Sequence, residues 1–178
     1  MKKFDLNIDS LLGKSKYVVK KICQANYDRY WLSSLTESPK ALSYVLFKGN
    51  VRLEKYLYQV KNVSDRKSLS RFRLSNHPLL IEKGRHLRPP LKREDRKCFV
   101  CKSLVENEKH FLITCPLYEN ERTILFHTCR ENCRLFDAIT SEEEKFIYIM
   151  TNEEQAVMKA VAKFVSNSLK LREKALGP

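Results

Sequence analysis

Residues 98–115 read CFVCKSLVENEKHFLITC, and this stretch carries the most specific pattern in the 178-residue chain. It places Cys98, Cys101, His110 and Cys115 in a Cys-x2-Cys-x8-His-x4-Cys arrangement. A Cys-x2-Cys pair forms a tight knuckle whose sulfurs point at one centre, and His-x4-Cys completes a tetrahedron when the chain folds back. The pattern therefore predicts one bound zinc ion.

Four protein ligands leave no coordination position for water, so we expect this zinc to be structural rather than catalytic. Zinc binding contributes about 10–16 kcal/mol in zinc-finger peptides, so the lobe around the ligands should fold only with metal bound. The alternative is a set of buried core cysteines beside an ordinary buried histidine. Cys129 and Cys133, with His127 nearby, suggest a second site but lack a fourth ligand.

Positive charge is concentrated directly before the cysteine motif. The chain has a formal net charge of +13, and residues 61–100 contain twelve Lys and Arg against four Asp and Glu. Residues 101–178 contain eleven basic against twelve acidic residues. Such clustering beside a metal motif indicates a polyanionic partner, and a helical protein with solvated lysines is the alternative.

The chain contains no apolar run of the roughly 18 residues needed to cross a bilayer. Its first residues, MKKFDLNIDS, are charged but are not followed by an apolar stretch or a small-residue cleavage site, so we expect no signal peptide there. We therefore expect a nuclear or cytoplasmic protein in a reducing compartment. Cysteine pairs in such proteins bind metal more often than they form disulfides.

Helical periodicity and only four glycines predict a mainly α fold, a helical body with a small CCHC zinc-knuckle lobe. We expect three regions: a basic helical region over residues 1–80, a basic linker with the zinc knuckle over residues 81–122, and a C-terminal helical region over residues 123–178. The basic segment over residues 81–97 should be extended, because Gly84 and Pro89-Pro90 interrupt it.

Caps and apolar spacing predict the helices of the first region. Ser15 should cap a helix that ends near residue 36. Ser38 and Pro39 should begin the next, with Leu42, Val45 and Leu46 facing inward. A short helix over residues 51–60 and a helix capped by Ser64 and Asp65 should follow.

The same signals predict three helices after the knuckle. Pro116 should open the first, and residues 142–150 should form the second. The last should begin at Thr151 or Asn152, with Glu154 and Gln155 as capping-box partners, and run to about Lys174. Its expected apolar face consists of Val157, Val161, Phe164, Val165 and Leu169.

The segments RFRLSNHPLLIEKGR, RKCFVC and ENEKHFLITCPLYENER together resemble the C-terminal region of reverse transcriptases from LINE-like non-LTR retrotransposons. In that family a segment of the form fR-x-S-x-H-x-L-x-I-E-x-G-R precedes a CCHC knuckle. The matching positions before the knuckle are Arg73, Ser75, His77, Leu79, Ile81, Glu82, Gly84 and Arg85, with Pro78 as one extra position between His77 and Leu79. Pro116, Tyr118 and Arg122 match the exit from the knuckle.

The strong part of the resemblance covers about residues 69–122, a weaker match in helical pattern extends to both ends, and the resemblance implies a region that handles template RNA and target DNA. The family's polymerase signature, Tyr/Phe-x-Asp-Asp, is absent, as are the Asp…Asp-x-Lys carboxylates of the nuclease that follows the knuckle in some elements. The chain also lacks a Gly-rich phosphate loop, His-Glu-x-x-His and Gly-x-Ser-x-Gly. We therefore expect no enzyme but a detached or domesticated reverse-transcriptase-like tail, or a fragment of such an element.

The leading functional prediction is zinc-dependent binding of nucleic acid, with RNA or single-stranded DNA preferred to duplex DNA. Basic side chains would neutralise phosphates, and Phe99 would either stack on a base or pack on the knuckle. The predicted contact residues are Arg66, Arg71, Arg73, Lys83, Arg85, Arg88, Arg93, Arg96, Lys97, Phe99 and Lys102. The alternative is a zinc-stabilised helical module that binds a protein partner through the C-terminal helix.

Overall fold

The computed structural model describes residues 8–38 and 40–177. The chain divides into two compact units, one up to Arg52 and one from Leu53 onward. The boundaries predicted after residues 80 and 122 both lie inside the second unit.

The fold is mainly α, as predicted. The helices are α1 (Lys16–Thr36), α2 (Leu42–Val45), α3 (Tyr56–Gln59), α4 (Val63–Arg73), α5 (Leu80–Lys83), α6 (Glu119–Asn132), α7 (Glu142–Thr151) and α8 (Gln155–Leu176). Short 3-10 turns cover Ile8–Leu11, Arg93–Asp95, Pro116–Tyr118 and Phe136–Ala138, and a π-helical turn covers His110–Thr114. In the part of the chain that the structure describes, no helix is both long and apolar enough to span a bilayer.

The first unit is built on α1, which begins where its cap was predicted. The Ser15 hydroxyl accepts a hydrogen bond from the Val18 amide, and the helix ends at Thr36. No α1 residue is buried. The long helix thus has little packing of its own, although packing normally supplies most of the stability of a helix in a protein.

The predictions for α2 and α3 were wrong in extent. α2 is a single turn that buries Tyr44 and leaves Leu42 and Leu46 exposed, and the predicted start at Pro39 lies outside the described residues. α3 is also one turn, so Leu53 remains exposed. A single turn is too short to bring residues at helical spacing to one face, and one aromatic residue in each helix, Tyr44 or Tyr56, is buried instead.

The core of the second unit surrounds α8. Val157, Val161, Phe164 and Val165 are buried as predicted, and α4 and α6 pack against this helix. An aromatic cluster fills the centre. The Phe111 ring lies 4.5 Å from that of Tyr118, 5.2 Å from that of Phe72 and 5.6 Å from that of Phe164, measured between centroids.

Two of the predicted caps differ in detail. α4 is capped by Asn62, whose side-chain oxygen accepts from the Asp65 amide at 3.1 Å, rather than by Ser64. α8 has no capping box: Glu154 is its N-cap residue without a side-chain hydrogen bond, and Asn152 accepts from the Glu154 amide at 2.8 Å. α4 therefore begins one residue before Ser64, and α8 begins three residues after Asn152.

The segment over residues 81–97 is not an extended linker, contrary to the prediction. It begins in α5 and folds back so that the Leu91 amide donates to the Gly84 carbonyl at 2.9 Å. The Arg96 guanidinium donates to the carbonyls of Leu91 and Ile81, at 2.8 Å to each. Gly84 and two prolines indicate an extended segment in the sequence, but the hydrogen bonds of one arginine, Arg96, close the loop.

We predict that Gly84→Ala destabilises the protein by about 1–3 kcal/mol, the usual cost of overpacking. A Cβ at position 84 would lie 2.8 Å from Arg96 Cγ and 2.8 Å from the Leu80 carbonyl oxygen. Urea unfolding followed by circular dichroism measures the change. Gly49→Ala is the control because nothing lies within 4 Å of its added Cβ. Equal effects of the two substitutions would contradict this account.

Candidate metal centre and its basic surroundings

The knuckle is a tight turn between Cys98 and Cys101. The Lys102 amide donates to the Cys98 carbonyl at 2.8 Å, and the Cys98 amide donates to the Leu104 carbonyl at 2.8 Å. Lys102 has a φ of 57°, in the left-handed region, and Lys97 forms an isolated antiparallel bridge with Val105. These backbone bonds set the two cysteines on one small loop.

The ligand atoms of Cys98, Cys101 and His110 all lie within 4.8 Å of one another, so these three residues could hold a metal ion. Cys101 Sγ is 3.6 Å from His110 Nε2, and Cys98 Sγ is 3.8 Å from Cys115 Sγ. Bond lengths of about 2.3 Å to sulfur and 2.0–2.1 Å to nitrogen give tetrahedral edges of about 3.8 Å (S–S) and 3.6 Å (S–N). Cys115 is not part of the mutual three-residue set, although its distance to Cys98 matches such an edge.

The π-helical turn orients the imidazole of His110. Its Nδ1 lies 2.9 Å from Thr114 Oγ1, which leaves Nε2 directed at Cys101. The His110 amide donates to Asn107 Oδ1 at 2.8 Å, and the Cys115 amide donates to the His110 carbonyl at 2.8 Å. A hydrogen bond on the second ring nitrogen is the usual way in which a metal-binding histidine is held in place.

The electrostatics of the cluster suit a cation at its centre. Burial alone would raise the pKa of Cys101, but the hydrogen bonds from Leu104 and Ser103 outweigh it and lower that pKa. Burial raises the pKa of Cys115 to about 12 and lowers the pKa of His110. The histidine is therefore neutral, as a ligand must be, and the buried Cys115 thiol needs a positive charge beside it to ionise.

Glu106, between the two ligand pairs, connects the knuckle to the rest of the second unit. Its carboxylate accepts two hydrogen bonds from the Arg172 guanidinium in α8, at 2.7 and 2.8 Å, and one from the Leu80 amide at 2.6 Å. Both charged side chains are buried. Burial by itself lowers the pKa of Arg172, but the hydrogen bonds and charge of Glu106 raise it, so Arg172 stays charged.

Glu108 makes a second buried connection, to the segment that precedes α5. Its Oε1 accepts from the Ser75 hydroxyl at 2.9 Å and lies 3.0 Å from His77 Nε2. Ser75 has a φ of 50°, so the backbone is turned sharply where its hydroxyl meets the carboxylate. Ser75 and His77 therefore hold the knuckle loop in position.

The predicted contact residues fall into two groups. Arg71, Lys83, Arg88, Arg93, Lys97 and Lys102 are exposed. The others bond internally: Arg66 donates to the Val60 carbonyl at 2.7 Å, Arg85 pairs with Glu82 at 3.2 Å, and Arg96 closes the loop described above. Arg73 is buried, donates to the Met150 carbonyl at 2.7 Å and pairs with Glu54. All four guanidinium groups already bond to the protein, so Arg66, Arg73, Arg85 and Arg96 have structural roles.

Phe99 is half-buried, with the Arg172 guanidinium over its ring at 5.5 Å. Of the two roles considered for this residue, the geometry favours packing, since the same arginine also binds Glu106. Its ring helps to shield the ion pair from water. Val100, the next residue, is exposed instead.

The second cysteine pair does not form a comparable cluster among the described residues. Cys129 is buried, which raises its pKa to about 12, while His127 is exposed and faces Glu131 at 3.5 Å. The six cysteines are free thiols.

Sequence reasoning missed the structural roles of Glu106, Glu108 and Arg172. One signal was available for Arg172: it lies seven residues after Val165, on the apolar stripe of α8. An arginine at such a position needs a buried carboxylate, because an unpaired buried charge is strongly unfavourable. Which carboxylate it binds was not apparent, because Glu106 lies 66 residues away in the chain.

Comparison of the chain with protein-family models, curated proteins and solved structures found no match.

We predict that Glu106→Gln lowers the free energy of unfolding of the second unit by about 3–5 kcal/mol, because it leaves the buried Arg172 without a counter-charge. Thermal or urea unfolding measures the loss. Glu153→Gln is the control: it removes the same charge from an exposed pair with Lys55 and should leave stability unchanged. A Glu106→Gln protein as stable as the control would contradict the importance of the buried pair.

Proposed function

We propose that this chain is a zinc-dependent nucleic-acid-binding protein without catalytic activity, derived from a reverse-transcriptase tail and selective for RNA or single-stranded DNA. One observation carries the proposal. Lys97 and Lys102 are exposed and border the Cys98–Cys101 turn, so the loop that would hold the metal also presents positive charge.

Zinc is the metal that best fits the donor atoms. Thiolates and imidazole are the ligands of structural zinc, whereas oxygen ligands select magnesium and calcium. We assign Cys115 as the fourth ligand because its sulfur lies one tetrahedral edge from that of Cys98. Zinc bound to all four ligands would neutralise the buried Cys115 thiolate and hold the knuckle in one conformation.

The exposed cations near the knuckle supply the binding energy in this proposal. Among the described residues, none of Lys83, Arg88, Arg93, Lys97 and Lys102 forms an ion pair. Each is therefore free to replace condensed counterions on a phosphate backbone, which makes the affinity salt-dependent. Arg73 and Arg96 are left out of the proposed surface for the reasons given above.

The alternative proposal, a module that docks a protein partner through the C-terminal helix, has less support. The apolar face of α8 already packs in the core of the second unit, where Val157, Phe164 and Val165 are buried. A partner would have to bind the polar side of this helix or another surface. The basic residues Lys97 and Lys102 beside the knuckle, by contrast, are already exposed.

The zinc site is tested by metal analysis of the purified protein, for which we expect one zinc per chain. Cys115→Ser should lower the zinc content and affinity, because it removes one of four ligands. Cys133→Ser is the matched control and should keep the full content. If the chelated protein keeps its native near-UV circular dichroism, zinc has no structural role.

Nucleic-acid binding is tested by fluorescence anisotropy with single-stranded RNA, single-stranded DNA and duplex DNA over a salt series. Affinity for the single strands should fall linearly on a log–log plot against salt, and the double variant Lys97→Ala, Lys102→Ala should reduce the slope by about 0.7 per lost phosphate contact.

The matched control removes the same charge from α8, in the double variant Lys159→Ala, Lys163→Ala, both at exposed positions. It should bind nearly as the unsubstituted protein does. Binding that is independent of salt, or an equal loss in the two double variants, would overturn the proposed surface.

A further inference from the structure

One face of α1 carries an unusual combination of residues. Tyr17, Lys20, Gln24, Tyr27 and Trp31 follow one another at alternating spacings of three and four, so they share one face of the helix. We name this set the aromatic stripe. The side chains of Tyr17 and Tyr27 are 65% and 43% exposed, and Trp31 is half-buried.

Exposure of the stripe is not compensated by packing elsewhere on the helix. α1 has 21 residues, none of them buried. Large aromatic side chains contribute most when they are covered, so a helix that displays three of them on one face is suited to a partner.

The charge of α1 indicates what kind of partner this face would bind. The helix contains Lys16, Lys20, Lys21 and Arg29 against the single acidic residue Asp28, which accepts a hydrogen bond from Gln24 at 2.7 Å. Lys21 Nζ lies 4.7 Å from the centre of the Tyr17 ring, so cation and aromatic face occur together. The partner should therefore carry negative charge and flat surfaces that stack.

Two other occupants fit this face less well. A second copy of α1 would bring like charges together, which opposes self-association. A helix that lies on a membrane keeps its cations apart from the face that enters the lipid, whereas Lys20 and Gln24 lie within the stripe, between Tyr17 and Tyr27. Unpaired nucleic acid meets both requirements, because phosphates alternate with exposed bases.

We propose that the aromatic stripe of α1 is a stacking platform for single-stranded nucleic acid, with bases on Tyr17, Tyr27 and Trp31 and phosphates near Lys16, Lys20 and Lys21. The inference rests on the proposed function for its class of ligand. It adds a second binding surface and a reason for selectivity, since the bases of a duplex are stacked on each other and unavailable.

The sequence offers a direct probe, because Trp31 is the only tryptophan. Titration of the full chain with oligothymidylate or oligouridylate should quench its fluorescence with the same midpoint as the anisotropy signal. A duplex of equal length should quench it less. Binding of the single strand without any change in Trp31 fluorescence would overturn the platform.

Substitutions separate stacking from charge. The double variant Tyr17→Ala, Tyr27→Ala should weaken binding by about fivefold or more for each lost stacking contact. Phenylalanine at both positions should restore it. Alanine has the highest helix propensity, so α1 should persist, as far-UV circular dichroism can verify. Tyr58→Ala is the control, at an exposed tyrosine outside α1.

The outcomes distinguish the two proposals. If the alanine double variant binds like the Tyr58→Ala control, the platform is wrong. If only the Lys97 and Lys102 variant loses affinity, the proposed function stands and the platform is wrong. If Trp31 is quenched and only the stripe variant loses affinity, the platform is right and the knuckle surface is wrong. A shift of Trp31 fluorescence with phosphatidylserine vesicles but not with oligonucleotides would assign the stripe to membranes.

Discussion

The second unit depends on the buried ion pair between Glu106 and Arg172. A carboxylate and a guanidinium with little access to water are stable together only if every donor and acceptor is matched. Here the Leu80 amide and the Phe99 ring complete the surroundings of the pair. The knuckle loop, the start of α5 and the last turns of α8 are consequently joined at one point, and removal of either charge would leave the other unpaired.

The cluster of Cys98, Cys101 and His110 depends on this ion pair. Cys98, Cys101 and His110 come together only if the loop between the ligand pairs is held, and Glu106 and Glu108 hold it from within that loop. Ser75, His77 and Gly84 have local structural roles: the first two contact Glu108, and the third leaves room for Arg96. These residues thus build the scaffold of the knuckle.

The long helices were predictable because their signals are local. Ser15 before α1 and the apolar spacing of α8 lie within or beside the helices they specify. α2, α3 and the loop over residues 81–97 were not predictable in this way. α2 and α3 are single turns, and a single turn shows little periodicity in its sequence. In the loop, Gly84 and the prolines indicated an extended segment, whereas the hydrogen bonds from Arg96 fold it.

The sequence by itself determined the mainly α class and the choice of Cys98, Cys101 and His110 as residues that could hold a metal ion, since ligand type and spacing are local properties of the chain. Only the tertiary structure decided which cations remain at the surface. Arg73 and Lys97 look alike in the sequence, but Arg73 has Glu54 and the Met150 carbonyl beside it, and both come from distant segments. Whether an arginine is buried depends on such acceptors, and their positions exist only in the folded chain.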